Sequence, residues 1–227
     1  MKRILCGMVA VMFALTAPIA SAGALHHAPN KMISTPTKAA VESKAVPASP
    51  PLPSSVIDED WWTRMQRGLA AGEYHASQNQ QGLQAPNRAH NLRTYFGSEG
   101  IKVHDRTAKG SPELTSLSLI GMGRGAALTP VAAGVVTHSG VRVEIRRTGV
   151  VEWYVNSPQG LEQGFNLETR PPGAGPLALD LKVEGARSSL AGKSVVLTTE
   201  AGRRLHYGKL IALDAAGRTL ESRLEAP

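Results

Sequence analysis

The sequence predicts an all-β protein: one antiparallel, sandwich-like domain with a single amphipathic helix at its N-terminal end. Two patterns carry this reading. From about Asn91 onward apolar and polar residues alternate with period 2, as over Val141–Ile145 and Leu177–Val183, the signature of a strand with one wet and one buried face. Gly, Pro and Asp turn signals separate these runs at short intervals. Only one stretch, residues 58–71, carries apolar residues at helical spacing.

The chain opens with Lys2 and Arg3, runs through an apolar stretch from Ile4 to Ala20, and reaches the small-residue pattern Ala20-Ser21-Ala22. Residues 1–22 therefore read as a secretory signal peptide cut after Ala22. A membrane anchor needs about 20 apolar residues in an unbroken run. This run lies at the lower edge of that length, carries Pro18 and ends in a cleavage pattern. Export to the periplasm, the cell surface or the medium is the expected address, with no integral membrane span after cleavage. Cys6, the one cysteine of the chain, falls inside this segment without a lipoprotein pattern around it. The remainder then has no disulfide, no thiolate metal site and no cysteine nucleophile, and an ordinary apolar core must stabilise it.

Residues 23–57 mix Ala, Ser, Thr, Lys and Pro, including Pro47, Pro50, Pro51 and Pro53, without any sustained period. They read as a disordered linker. His26-His27 lies in this tether, which cannot hold further metal ligands at fixed distances. The net charge of +7 is concentrated in these flanks: Lys2 and Arg3 contribute +2 and residues 23–57 another +2, leaving +3 for the domain at 58–227. A nucleic-acid partner would demand basic residues gathered on one face or run, and none is present.

The domain begins with Asp58, Glu59 and Asp60, acids that suit a first helical turn. Trp61, Trp62, Met65 and Leu69 follow as an apolar stripe, and Gly72 with the polar stretch Ser77–Gly82 ends the helix. The stripe reads as a core contact, with a ligand platform as the alternative. Short strands follow at Leu92–Phe96, Ile101–Val103 and Leu114–Ile120. A hairpin joins Val141–Arg146 to Val151–Asn156 through Arg147-Thr148-Gly149, with Trp153 assigned to the buried face beside Val151 and Val155, and Glu152 and Tyr154 to the other. Gly160 and Gly164 read as tight turns around Leu161-Glu162-Gln163, with Phe165 returning to the core. Further strands are expected at Leu177–Val183, Val195–Thr199, Leu205–Leu213 and Thr219–Leu224, with a turn at Asp214-Ala215-Ala216-Gly217.

Catalytic patterns are missing from the sequence. It holds no Gly-x-Ser-x-Gly elbow and no His-Glu-x-x-His. Gly121-Met122-Gly123-Arg124-Gly125 lacks the Gly-Lys-Ser/Thr ending that cradles phosphate and reads as a turn leaving a strand. His75, His90, His104, His138 and His206 are dispersed, so no metal site is expected, and nothing implies a cofactor. Glu152, Glu162 and Glu168 are the carboxylates that a glycosidase could pair. The candidate interaction patch is Glu152, Tyr154, Glu162 and Gln163, set against an architectural reading of the same hairpin.

Three dense stretches carry a family resemblance. They are Gln84–Phe96; Val151-Glu152-Trp153-Tyr154-Val155-Asn156 with Gly160-Leu161-Glu162-Gln163-Gly164-Phe165; and Leu205–Leu210 with Asp214–Leu220. Together they resemble the N-terminal β-rich module of exported bacterial proteins that continue into FG-GAP or similar β-propeller repeats. The resemblance spans roughly residues 58–225, and the sequence carries no Phe-Gly-Gly-Ala-Pro repeat motif. It implies display at a surface and interaction, and it brings no catalytic residue. The expectation is thus an exported, non-catalytic module with a protein or surface-glycan partner. The alternative is a secreted carbohydrate-binding or carbohydrate-active protein, which needs Trp61, Trp62 or Tyr154 exposed on a face.

Overall fold

The computed structural model describes residues 9–16 and 72–226. The expected helix at 58–71, with Trp61 and Trp62, and the linker at 23–57 lie outside the described residues. Every regular element that is described is a β-strand. The chain builds two antiparallel sheets by alternating between them.

Strand β1 (Val9–Thr16) belongs to the first sheet. Six strands of the second sheet follow: β2 (Ser77–Asn79), β3 (Gly82–Asn87), β4 (Leu92–Gly97), β5 (Gly100–Asp105), β6 (Glu113–Arg124) and β7 (Ala127–Pro130). The chain then returns to the first sheet as a four-strand meander, β8 (Val135–Ser139), β9 (Arg142–Arg147), β10 (Val150–Ser157) and β11 (Gly160–Leu167). Strand β12 (Leu177–Glu184) pairs with β6 in the second sheet. The last strands, β13 (Ala186–Ala191), β14 (Ser194–Thr199), β15 (Arg204–Leu213) and β16 (Thr219–Leu220), complete the first. The first sheet is ordered β13-β14-β15-β1-β11-β10-β9-β8, and the second β12-β6-β5-β4-β3-β2.

One buried apolar cluster draws on both sheets. Leu92, Phe96, Ile101, Val103, Leu117 and Leu119 come from the second; Val143, Ile145, Tyr154, Phe165, Leu197 and Leu205 come from the first. Ring contact between Phe96 and Tyr154, edge to face at 5.4 Å, joins the two sets. Polar ties reinforce the join. Asn87 Nδ2 donates to Asn156 Oδ1 and to the Ser157 carbonyl, both at 2.8 Å. Asn156 Nδ2 in turn donates to the carbonyls of Tyr74 (3.1 Å) and Pro86 (2.8 Å). Both amides are buried, so this exchange satisfies groups that would otherwise be costly to desolvate. Arg203 pairs with Asp105 and donates to the His90 carbonyl at 2.7 Å.

Several strands lie where the sequence pattern pointed elsewhere. The polar stretch expected to end a helix is instead β2 and the turn into β3, because a short edge strand exposes both faces and needs no apolar alternation. Strands β7, β8 and β13 are likewise largely exposed edge or near-edge strands, built from Thr, Ser, His and Arg among small apolar residues. Gly160–Leu167 is one continuous strand rather than a pair of turns. Gly164 is in the ladder because Trp153, its partner in register, takes up the space above it.

The assignment of faces in β10 is corrected in part: Trp153 and Val151 are buried as expected, but Glu152 and Tyr154 are buried as well. Trp153 and Val151 lie on the outer side of the first sheet, while Glu152 and Tyr154 point into the core with Val143 and Ile145. Hairpin pairing accounts for this. The turn at Thr148-Gly149, where Gly149 takes φ 80°, sets Val150 opposite Arg147, Glu152 opposite Ile145 and Tyr154 opposite Val143. Trp153 falls opposite Glu144 on the outer side of the sheet, where it is nonetheless buried. Asn166 Oδ1 accepts its indole N–H at 3.2 Å, and the Arg142 guanidinium lies 4.7 Å from its ring.

Candidate functional site

The inward face of β10 and β11 gathers the ionisable groups that the sequence singled out. Period 2 places Glu152 and Tyr154 on one face of β10. Register places Gln163 directly across from Tyr154 on β11. Arg147, the last residue of β9, reaches the same face from the hairpin end, and Tyr207 arrives from β15.

These five side chains form one hydrogen-bonded chain. Arg147 donates from Nε (3.1 Å) and Nη2 (2.8 Å) to Glu152 Oε2, and from Nη1 to the Ala132 carbonyl at 2.7 Å. Glu152 Oε1 accepts from the Tyr154 hydroxyl at 2.5 Å and from Gln163 Nε2 at 2.8 Å. The same Gln163 amide lies 3.0 Å from the Tyr154 oxygen, and its Oε1 accepts from the Tyr207 hydroxyl at 2.9 Å. The carboxylate thus has two donors on each oxygen. The side chains of Arg147 and Glu152 are 2% and 0% exposed.

Burial raises the Tyr154 phenol well above the ordinary tyrosine range, and the adjacent Glu152 charge adds to the effect. Tyr207 is raised in the same way, by burial first and by Glu152 second. Both phenols remain protonated donors at neutral pH. A buried ion pair is tolerated when its geometry is good and its remaining lone pairs are bonded, and both conditions hold. The cluster links β9, β10, β11 and β15 through their side chains. Its carboxylate is 0% exposed, with both oxygens held by these donors.

The four patch residues therefore divide. Glu152, Tyr154 and Gln163 come together in the interior, while Glu162, half-buried, lies on the opposite side of β11. Glu168 is exposed beyond the end of that strand. Arg147 and Tyr207 are cluster members that sequence reasoning missed. Arg147 was recoverable from the two-residue hairpin turn, which sets it on the face of Glu152; Tyr207, distant in sequence, gave no such signal.

The remaining candidates are taken up by structure. Gly121 and Gly123 lie within β6, and Gly125 turns the chain toward β7 at φ 58°. A cavity of about 240 Å³ is lined by Arg124, Leu167, Arg170, Leu177, Asp214 and Leu220 among others. Arg124 donates to the carbonyls of Pro171 and Gly175 (3.2 and 2.8 Å). Asp214 accepts from the amides of Ala216 and Arg218, both at 2.9 Å, and from the Arg218 side chain. Among the described residues no three His, Cys, Asp or Glu side chains converge as metal ligands, and no helix is long and apolar enough to cross a membrane. Comparison with protein-family models, with curated proteins and with solved structures returns no match for the chain.

Proposed function

We propose that this chain is an exported, non-catalytic β-sandwich module with a structural or interaction role, the N-terminal part of a surface protein of the FG-GAP or β-propeller type. One observation carries the reading. The residues that make up its most distinctive motif have architectural jobs: Glu152, Tyr154 and Gln163 saturate one another in the core, Asn156 ties the two sheets, and Gly164 admits the Trp153 ring. Packing and hydrogen bonding account for these side chains, while Glu162 of the same motif lies on the outer side of β11. The leader pattern at residues 1–22 supports export.

The carbohydrate reading finds less support. Tyr154 is fully buried and Trp153 is 7% exposed, so neither ring presents a face for a sugar to stack on. Trp61 and Trp62 lie outside the described residues.

Expression of the gene in a bacterial host, with fractionation and N-terminal sequencing, tests the proposal. The expected product starts at Gly23 and is found outside the cytoplasm. A cytoplasmic product that retains Met1 overturns it. Sequence read past codon 227 is expected to encode propeller repeats; unrelated sequence there removes the assignment to a repeat protein while leaving export intact.

A further inference from the structure

Strand β1 occupies an unusual seat. Residues Val9–Leu15 pair antiparallel with β11, from Val9 opposite Leu167 to Leu15 opposite Leu161. On its other edge β1 pairs antiparallel with β15, from Ala10 opposite Leu213 to Thr16 opposite His206, across a bulge between Met12 and Ala14. The walls of this seat, β11 and β15, run parallel to each other and make no ladder with one another. The segment that fills it is the apolar core of the leader that export would remove.

Cleavage after Ala22 leaves two facing edges, each with a row of backbone donors and acceptors lacking strand partners. Two strand spacings place these edges roughly 10 Å apart, the width of one inserted strand. The gap has an apolar floor: Leu161, Phe165 and Leu167 line it from β11, and Leu205 and Tyr207 from β15, all buried. The hydrogen bond from the Tyr207 hydroxyl to Gln163 spans that floor and holds the walls at this spacing. Direct closure would demand a parallel ladder and would crush this bond. Residues 23–57 carry no unbroken apolar run comparable to Val9–Leu15.

We propose that, in the exported chain, the gap between β11 and β15 is a strand-acceptor site. It takes an extended, apolar segment of about eight residues from a partner polypeptide, running antiparallel to both walls. Main-chain ladders on both edges supply affinity, and the apolar floor selects alternate side chains. The proposal rests on the export reading given above, and specifically on loss of residues 1–22.

The test uses the purified chain from Gly23 to Pro227, its start verified by N-terminal sequencing, and a fluorescent synthetic peptide of residues 9–16 flanked by lysines. Saturable one-to-one binding is expected, with a thermal midpoint that rises with peptide concentration. A peptide with proline in place of Met12 and Ala14 loses ladder donors and is expected to bind at least about ten-fold more weakly. A precursor in which Ala22→Arg blocks cleavage keeps its own β1 in place and is expected to bind neither peptide. If the exported chain folds only when the peptide is added, the proposal is equally supported.

Four outcomes overturn it: a folded exported chain that ignores the peptide, equal binding of the proline variant, an unfolded chain that the peptide does not rescue, or a dimer of exported chains that fills the gap and excludes the peptide. Retention of residues 1–22 in the native product overturns the export reading itself, and that result is read from the N-terminal sequence before any peptide is added.

Discussion

Trp153 on β10 and Gly164 on β11 lie opposite one another in register, and the indole occupies the volume that a Cβ on residue 164 would need. The strand tolerates a glycine here, despite the entropy it gives up, because close approach of the ring requires it. The Asn166 acceptor then holds the indole N–H, and the Arg142 guanidinium lies over the ring.

Gly164→Ala is accordingly expected to destabilise the domain by about 1–3 kcal/mol through overpacking, measured by urea unfolding. In a Trp153→Leu background the same change is expected to cost much less, because the obstructing ring is gone. Equal penalties in the two backgrounds would show that the indole is not the cause.

The Arg147–Glu152 pair predicts a sharper asymmetry. Glu152→Leu strands a buried guanidinium and two hydroxyl or amide donors, and is expected to cost about 3–5 kcal/mol. Combining it with Arg147→Met removes the orphaned charge and is expected to recover a large part of that loss. A double-mutant cycle in chemical denaturation measures the coupling. Additive losses would mean that the two side chains do not act on each other.

Tyr154 and Tyr207 set an alkaline limit. Burial disfavours both phenolates and the Glu152 charge adds to it, so their folded pKa values lie above those of the unfolded chain. Their contribution to stability is full below the ordinary tyrosine range and is lost as pH rises toward the higher folded values. Stability is expected to fall above about pH 10, and phenolate absorbance from these two residues is expected to appear together with unfolding rather than before it. Tyr207→Phe should remove part of this pH dependence, as followed by absorbance and circular dichroism on the same samples.

Asn156 binds the sheets together through two half-buried carbonyl acceptors and one buried amide donor. Asn156→Ala leaves the Pro86 carbonyl and the Asn87 amide short of partners and is expected to cost about 1–3 kcal/mol. Thermal unfolding measures it, and a loss no larger than that of an exposed control such as Gln159→Ala would refute the role.

Much of the β architecture was legible in the sequence. Alternation located β9, β10 and β12, and the turn at Asp214–Gly217 marked the end of β15; that turn closes as an Asp side chain and a glycine would make it, with Asp214 capping the amides of Ala216 and Arg218 and Gly217 at φ 76°. Less legible were β2, β8 and β13, whose ladders depend on neighbours rather than on their own composition.

The candidate site was half visible. Glu152, Tyr154 and Gln163 were picked out together, and the hairpin turn held the information needed to add Arg147 and to place them all inside. Their burial ran against the simple rule that charged residues face water, and that rule prevailed in the sequence reading.

The sequence by itself determined where strands of period 2 begin and turn, because side-chain alternation and turn chemistry are local. Tertiary structure decided which face of β10 is the interior and which strands sit side by side. Period 2 defines two faces without ranking them; here the ranking came from Phe96 on the other sheet, Tyr207 from a distant strand, and the guanidinium that made a buried carboxylate affordable.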